Sequence, residues 1–202
     1  MTDTKSPTDV AGRAATTVGV VAESGADERR VAIVPKAAAA LVNSGVAVVV
    51  ESGAGQRALL PDELYTDVGA TIGDAWGCDV VVKVAPPSPS EVARLRAGQT
   101  LIGFLAPRNA DNQIGALKSA GVQAFAVEAI PRISRAQAMD ALSSQANVAG
   151  YKAVVLAASE STRFFPMLTT AAGTVKPATV LVLGVGVAGL QALATAKRLG
   201  GR

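Results

Sequence analysis

The chain has 202 residues, of which 50% are apolar and 17% charged, with a formal net charge of +3, and this composition excludes wholesale disorder. The 19 basic and 16 acidic residues are scattered along the chain, which excludes a nucleic-acid footprint and a membrane-binding stripe. Cys78 is the only cysteine and histidine is absent, so an internal disulfide is excluded, no metal site is predicted and a reducing compartment is indicated.

No segment of targeting or membrane-spanning type is recognised. Residues 1–16 lack the basic start and apolar centre of a secretory signal, and we interpret them as a flexible tail. The most apolar stretch, residues 180–196, contains a glutamine and three glycines and is shorter than the roughly 20 apolar residues of a spanning helix. We therefore expect a cytoplasmic protein that neither is exported nor inserts directly into a membrane.

From Thr17 onward, β-rich runs alternate with longer, alanine-rich segments that are compatible with helices. The runs are almost continuous in Val, Ile, Leu and Phe, which is typical of strands covered on both faces in a parallel sheet. Most of the intervening segments have proline near the start and glycine near the end, as helices do. This order predicts an α/β, Rossmann-like domain with right-handed crossovers. The predicted strands are TTVGVVA, VAVVVE, DVVVKV, TLIGFL and VQAFAV, and the predicted helices are PKAAAALVNSG, PDELYTDVGA, SPSEVARLRAG and NADNQIGALKSAG.

After Val127 this alternation stops. The segment EAIPRISRAQAMDALSSQ has too little apolar periodicity for a strand, and ANVAGYKAVVLAASESTRFF predicts a long helix that leaves the first domain. The segment PMLTTAAGTVKPAT is rich in Thr, Gly and Pro and predicts a loop at a domain boundary. We therefore expect an N-terminal domain at residues 17–142, a linking helix and loop at 143–176, and the start of a second domain at 177–202.

The segment VLVLGVGVAGLQALATAKRLG predicts a strand, a glycine-rich turn and a helix. Its glycines form G-x-G-x-x-G, in which the first allows a tight turn, the second lets the main chain approach a pyrophosphate and the third lets helix pack on strand. Free amides at the helix start, helped by the helix dipole, would face the phosphates. The alternative is a βα turn whose glycines serve packing only. The predicted cofactor-binding residues of this turn are Gly184, Val185, Gly186, Val187, Ala188 and Gly189.

A dinucleotide site also has an acidic residue for the ribose hydroxyls about 20 residues after the first glycine. That position lies past Arg202. A single βα unit cannot form a sheet, and its helix has no second strand to cover. We therefore interpret residues 177–202 as the first βα unit of an incomplete Rossmann domain, either in a truncated chain or in one that docks on something else.

Several segments resemble one known family. VLVLGVGVAGLQALATAKRLG, PRISRAQAMDALSSQANVAGYKAV and FFPMLTTAAGTVKPA resemble the NAD(H)-binding alpha subunit (domain I) of proton-translocating NAD(P) transhydrogenase. ESGADERRVAIVP and VESGAGQRALLPDELYTDVGA resemble the N-terminal signatures that this subunit shares with alanine dehydrogenase, in the alanine dehydrogenase/PNT superfamily. The likeness covers nearly everything from Thr17 to Arg202.

The resemblance implies an overall organisation. In that family the subunit has two Rossmann-like domains joined by long helices, forms homodimers and binds NAD(H), while a partner subunit binds NADP(H). The dimer lies as a peripheral component on the inner, cytoplasmic face of membrane-embedded partner subunits. The present chain would hold most of the first domain and only the first βα unit of the second.

The resemblance also implies a mobile loop over the nicotinamide. Its working residues match Arg132, Gln137 and Asp140, with Gln137 and Asp140 as the catalytic pair. A neutral amide such as that of Gln137 both donates and accepts hydrogen bonds with ribose hydroxyls or the ring carboxamide. Asp140, three residues later and so on the same helical face, would fix the orientation of that amide. The further cofactor contacts implied are Arg132, Ile133, Ser134 and Ser143.

The same loop has a simpler interpretation. Ser134-x-x-Gln137 also fits a helix capping box, and Arg132 with Asp140 also fits a solvated ion pair. Without the family likeness the capping box would be the favoured hypothesis, because it explains the same spacing.

Three positions bear on the choice between relatives. Arg30 and Lys83 match residues that bind substrate carboxylate in alanine dehydrogenases, and we interpret both as remnants or structural supports. Where that enzyme carries its catalytic histidine, LIGFLAP has Ala106. Reduction of an imine or ketone requires a proton donor near the reacting carbon, whereas hydride transfer between two nicotinamides does not.

These observations favour a transhydrogenase component that transfers hydride between NADH and NADP+ held on a partner subunit. An alanine- or saccharopine-type NAD-dependent amino-acid dehydrogenase is the alternative enzyme. A chain that is inactive on its own, and acts only as a folded module, is the alternative of another class.

Overall fold

The computed structural model describes residues 16–108 and 111–202. All but the last residue of the predicted tail, 1–16, lies outside the described residues. The chain forms two compact units, one ending at Pro131 and one beginning at Arg132.

The first unit is built on a six-stranded, wholly parallel sheet in the order β3-β2-β1-β4-β5-β6. This order places β1 at the centre, where Val18 pairs with Val48 on one side and Val80 on the other. The predicted α/β, Rossmann-like fold is confirmed. The strands are β1 (Thr17–Val20), β2 (Ala47–Val50), β3 (Thr71–Ile72), β4 (Val80–Val82), β5 (Thr100–Gly103) and β6 (Gln123–Ala126).

Apolar side chains cover both faces of this sheet, as the unbroken Val-rich runs predict. On one face, Val20 and Val50 are fully buried in a cluster that includes Tyr65. On the other, Val81 and Leu101 are fully buried in a second cluster. Burial on both sides leaves the strand ends as the places where polar side chains gather.

Four helices of the first unit match the predicted positions, but two are much shorter than expected. The helices are α1 (Pro35–Asn43), α2 (Glu63–Thr66), α3 (Pro89–Val92) and α4 (Asp111–Ser119). After α3 the main chain tightens, since the amide of Leu95 bonds to the carbonyl of Val92, three residues back. The side chain of Gln99 then accepts a hydrogen bond from the Arg96 amide, which ends the helix.

The second unit pairs two helices. A 3₁₀ helix (Ser134–Met139) leads into α5 (Ala141–Glu160), and α6 is Val187–Arg198. Val154 of α5 and Ala192 and Ala196 of α6 are buried in the core between them. None of the helices in the described part of the chain is long and apolar enough to cross a membrane.

Two expectations for the second unit are wrong. The segment expected to be a loop contains an antiparallel hairpin of β7 (Leu168–Thr170) and β8 (Gly173–Val175). The run VLVLG, predicted as a strand, does not form a continuous ladder in residues 132–202. Only its start pairs: the amide of Val180 donates to the Arg202 carbonyl, and the Arg202 amide donates to the Ala178 carbonyl. A strand needs a partner along its whole length, and past Val180 no described residue of this unit supplies one.

Candidate functional site

Five residues of the predicted nicotinamide loop line one open cleft. The cleft has a volume of about 490 Å³ and lies in the second unit, before α5. It is polar at its charged ends and exposed to solvent. The lining residues are Arg132, Ile133, Ser134, Gln137 and Asp140.

Asp140 holds this loop against the start of α5. It is the N-cap of the helix, and one carboxylate oxygen accepts the main-chain N–H of Ser143 at 2.9 Å. The other oxygen accepts the Ser143 hydroxyl at 2.6 Å and Nε of Arg132 at 3.3 Å. Nη2 of Arg132 also donates to the Ser143 hydroxyl at 2.9 Å. Three of the predicted site residues therefore form one hydrogen-bonded group.

These contacts set the charge of Asp140. The hydrogen bonds from Ser143, followed by the positive charge of Arg132, hold the pKa of the Asp140 carboxyl below its ordinary value. A carboxylate with a lowered pKa is ionised at neutral pH and is a weak proton acceptor. Its chemistry suits holding Arg132 and Ser143 in place better than moving a proton.

Gln137 has a different environment from the one expected. The expected contact with Asp140 is not formed, because Ser143 and Arg132 occupy that carboxylate. Gln137 is exposed, and its side-chain amide makes no hydrogen bond within residues 16–108 and 111–202. Both its donor and its acceptor are therefore available to a ligand in the cleft.

The capping-box alternative is wrong about the cap and correct about the ion pair. The 3₁₀ helix begins after Ile133, and Ser134 makes no capping hydrogen bond. The ion pair between Arg132 and Asp140 is present, with the Arg132 side chain 60% exposed. Local sequence found the pair but misplaced the cap, which belongs to Asp140 and α5.

The glycine turn has a different geometry at each of its three glycines. Gly184 has φ +104°, a left-handed conformation that side chains rarely adopt. A Cβ on Gly189 would lie 2.0 Å from the carbonyl oxygen of Gly184, so packing requires glycine there. A Cβ on Gly186 would meet no described atom within 4 Å. Packing therefore explains Gly189 but not Gly186, where the space next to the main chain is open.

The open space at Gly186 lies at the start of α6. Gly186 is the N-cap, and the first intrahelical bond runs from the Leu190 amide to its carbonyl at 2.8 Å. The amides of Val187, Ala188 and Gly189 precede that bond and so have no partner within the helix. Val185, just before the N-cap, is largely exposed. This end of α6 has the amides and the dipole that bind anions.

Lys83 lies in the first unit, at the carboxyl end of β4, and is only 3% exposed. Its Nζ is 2.9 Å from Oε2 of Glu23 and 3.6 Å from Oε1 of Glu91. Glu23 also accepts the main-chain amides of Val84 at 2.5 Å and Ala85 at 3.1 Å. This arrangement fits the interpretation of Lys83 as a structural support.

Sequence reasoning did not find Glu23 and Glu91. A signal existed, because a lysine at the end of an apolar strand run is rarely buried unless it is paired. Both partners are carboxylates, and Glu91 also closes a capping box with Ser88 at the start of α3.

Arg30 and Ala106 have partners of their own in the first unit. The Arg30 guanidinium is 2.6 Å from Glu28, and this contact raises the pKa of Arg30 and lowers the pKa of Glu28. Ala106 has φ +48°, and its amide donates to Oε1 of Glu128 at 2.6 Å. Glu128 also accepts the Leu105 amide, so it fixes the main chain where β5 ends.

Two family models match this chain. The N-terminal domain model of alanine dehydrogenase/PNT matches residues 19–149, and the C-terminal domain model of the same family matches residues 153–202.

Curated relatives of two kinds are similar to the chain. An NAD(P) transhydrogenase subunit alpha of Rhodospirillum rubrum is 50% identical over 183 residues, covering 86% of this chain and 48% of that protein. The NAD(P) transhydrogenase subunit alpha of Haemophilus influenzae is 42% identical, covering 91% of this chain and 36% of the relative. An alanine dehydrogenase of Mycobacterium tuberculosis is 31% identical, covering 91% and 51%. The chain thus spans about half, or less, of the length of these relatives.

Solved structures show the same two kinds of protein. The crystal structure of transhydrogenase from Sinorhizobium meliloti superposes with a TM-score of 0.89 at 47% identity, covering 92% of this chain and 57% of that one. An L-alanine dehydrogenase superposes with a TM-score of 0.81 at 29% identity, covering 93% and 53%. This chain therefore belongs to the alanine dehydrogenase/PNT family, and of these relatives it is more similar to the transhydrogenases than to the alanine dehydrogenases.

Proposed function

We propose that this chain carries the NAD(H)-binding site of a proton-translocating transhydrogenase alpha subunit, which transfers hydride between NADH and NADP+ held on a partner subunit. The observation that carries the proposal is the presence, in one compact unit, of the loop cleft before α5 and the open amide end of α6. The higher identity to transhydrogenase alpha subunits, 42% and 50% against 31% for an alanine dehydrogenase, supports the same conclusion.

The residues present suit a dinucleotide. The main-chain amides of Val187 and Ala188 offer donors for a diphosphate, and the open space at Gly186 lets those oxygens approach. At the other end, the exposed guanidinium of Arg132 suits a ribose or phosphate oxygen, and the amide of Gln137 suits the ring carboxamide.

The reaction asks little proton chemistry of these residues. Bound NADH supplies the hydride. The protein's part is to hold the nicotinamide ring at the correct distance and angle and to exclude water, and positioning of this kind is a large source of rate. Asp140 contributes through Arg132 and Ser143, since its own pKa is lowered. Gln137 is the residue we assign to ring orientation.

The alternative amino-acid dehydrogenase is less well supported by the first unit. A substrate carboxylate would need the ammonium of Lys83, which is already engaged by Glu23 and Glu91. The position expected for a catalytic histidine holds Ala106, which has no titratable group.

The proposal extends to partners and location. The names of the relatives describe them as subunits, and we propose that this protein acts as a homodimer with an NADP(H)-binding subunit and membrane-embedded subunits. Its place would then be peripheral, on the inner face of the cytoplasmic membrane.

Substitution of Gln137 tests the proposed function. With a purified NADP(H)-binding subunit, the protein should catalyse hydride exchange between the two nicotinamide nucleotides. Gln137→Asn shortens the side chain by one methylene and should slow exchange by about 100-fold, because a misplacement of about 1 Å has an effect of that size. The matched control is Gln56→Asn, since Gln56 is also an exposed glutamine of a 3₁₀ helix. Oxidation of L-alanine by the unsubstituted protein, without nucleotide exchange, would instead support the dehydrogenase.

A further inference from the structure

The two halves of the candidate site are joined by α5. The N-terminal end of this helix is capped by Asp140, which also holds Arg132 and Ser143 at the cleft. The middle of the same helix packs against α6. One rigid helix therefore contacts both the cleft residues and the helix that carries the glycine turn.

Gly150 is the point of closest approach between α5 and α6. It is buried, and a Cβ placed on it would lie 2.1 Å from the carbonyl oxygen of Ala188. The carbonyl carbon and Cα of Ala188 would follow at 2.9 and 3.1 Å. All three are main-chain atoms, so no side-chain rotation could relieve the overlap.

Ala188 is the second residue of α6, in the turn whose amides have no helical partner. A glycine inside a helix is unfavourable compared with alanine, so local helix propensity does not explain Gly150. Its contact with Ala188 does. The helices meet at the turn proposed to hold the diphosphate.

We infer that Gly150 is a positioning residue that sets the spacing between the diphosphate-binding turn of α6 and the nicotinamide cleft at the start of α5. The inference rests on the proposed function. Along α5, Ser143 and Gly150 are separated by about 10 Å at 1.5 Å per residue, which places the cleft residues and the turn about one nucleotide unit apart. A side chain at position 150 would move the start of α6 outward from 2.1 Å toward the 3.4 Å at which ordinary contacts begin.

A change in spacing has a distinctive effect on binding. A ligand that uses only the glycine turn, such as ADP, would move with α6 and keep its contacts. NADH must reach both the turn and the cleft, and would lose contacts at one end. Spacing therefore affects the whole dinucleotide much more than its adenine half.

Gly150→Ala tests this inference, with Gly115→Ala as the matched control. Gly115 lies inside α4, and a Cβ there would meet no described atom within 4 Å. Calorimetric titration of the protein should show the Kd for NADH raised at least tenfold by Gly150→Ala, with the Kd for ADP changed less than twofold. Gly115→Ala should change neither constant.

Other results would overturn the inference in recognisable ways. An unchanged NADH Kd in Gly150→Ala would remove the spacing role. Equal losses of NADH and ADP binding would mean that the substitution only damages the turn. If the unsubstituted protein binds ADP but not NADH, the proposed function fails before Gly150 is tested.

Hydrogen exchange supplies a second test that needs no variant and holds even if Gly150→Ala does not fold. In the unsubstituted protein, NADH should slow exchange of the α5 amides around Gly150 more than ADP does, because only NADH joins both ends of the helix. Equal protection by the two ligands would contradict the inference.

Discussion

The two units use the ends of their secondary structures in opposite ways. In the first unit, β1 and β4 are neighbours at the point where the strand order reverses, which is where open α/β sheets bind ligands. There the side chains of Glu23 and Lys83 are buried and paired with each other. In the second unit, the amides that start α6 and the amide of Gln137 have no such partner among the described residues.

This difference shows why fold alone does not locate a binding site. The more complete sheet has satisfied its polar groups internally, and they contribute to one folded structure. The smaller unit leaves donors and acceptors open to solvent, and those groups are available to a ligand. Substitutions should therefore affect stability in the first unit and binding in the second.

The largest expected effect is on stability, from Lys83→Met. Removing the ammonium leaves the carboxylates of Glu23 and Glu91 buried without a cation, and breaking a buried pair of this kind costs about 3–5 kcal/mol. Urea denaturation should show that loss in the free energy of unfolding. Lys118→Met, at an exposed position of α4, should change it by less than about 0.5 kcal/mol. A loss below about 1 kcal/mol for Lys83→Met would mean that the buried ion pair is not a structural support.

The next effect is on binding, from Gly186→Ala. The new methyl meets no described atom, and φ at this position is −73°, so the unfolding free energy should change by less than about 0.5 kcal/mol. The methyl fills the space proposed for a diphosphate, so the Kd for NADH should rise at least about tenfold, or 1.4 kcal/mol. Titration and thermal unfolding on one sample separate the two quantities. Loss of stability with unchanged affinity would support the packing interpretation of the turn.

A smaller effect is expected from Asp140→Asn, and it should depend on pH. The folded-state pKa of Asp140 is lowered, so its carboxylate stabilises the fold above its unfolded pKa of about 3.9. That contribution is lost as the pH falls through the folded-state pKa. The unsubstituted protein should have a higher Tm than Asp140→Asn at pH 7, and the difference should shrink as the pH is lowered below about 4. A Tm difference that is constant from about pH 7 to about pH 3 would contradict this assignment.

The smallest effect is expected from Ser134→Ala. Ser134 makes no capping hydrogen bond, so its hydroxyl should contribute little to stability and the Tm should not change measurably. If the Tm falls as it does in Ser143→Ala, which removes the hydroxyl bonded to Asp140, the cap has been assigned to the wrong serine.

The strands of the first unit could be predicted because each is a buried Val-rich run. β3 was missed because it has only two residues, Thr71 and Ile72, too few to show a pattern. The hairpin of β7 and β8 was missed because its turn, Ala171-Ala172, is not one of the Asn-Gly or Asp-Gly pairs that identify hairpins in sequence.

The site was predicted in a different way from the fold. The glycine turn follows from its spacing and its position before a helix. Arg132, Gln137 and Asp140 came from the family resemblance, because local spacing alone favoured a capping box that the structure does not contain. The Lys83 cluster and the contact of Gly150 with Ala188 join residues far apart in sequence, and no local pattern encodes such contacts. The domain limits at residues 142 and 176 and the cofactor roles of the loop stay predictions.

A structure of this protein bound to NADH tests the central claim most directly. We predict that the diphosphate lies within hydrogen-bonding distance of the Val187, Ala188 and Gly189 amides, with the nicotinamide in the cleft beside Gln137. A dinucleotide bound instead at the carboxyl ends of β1 and β4, with the Lys83 and Glu23 pair opened to receive it, would contradict that prediction.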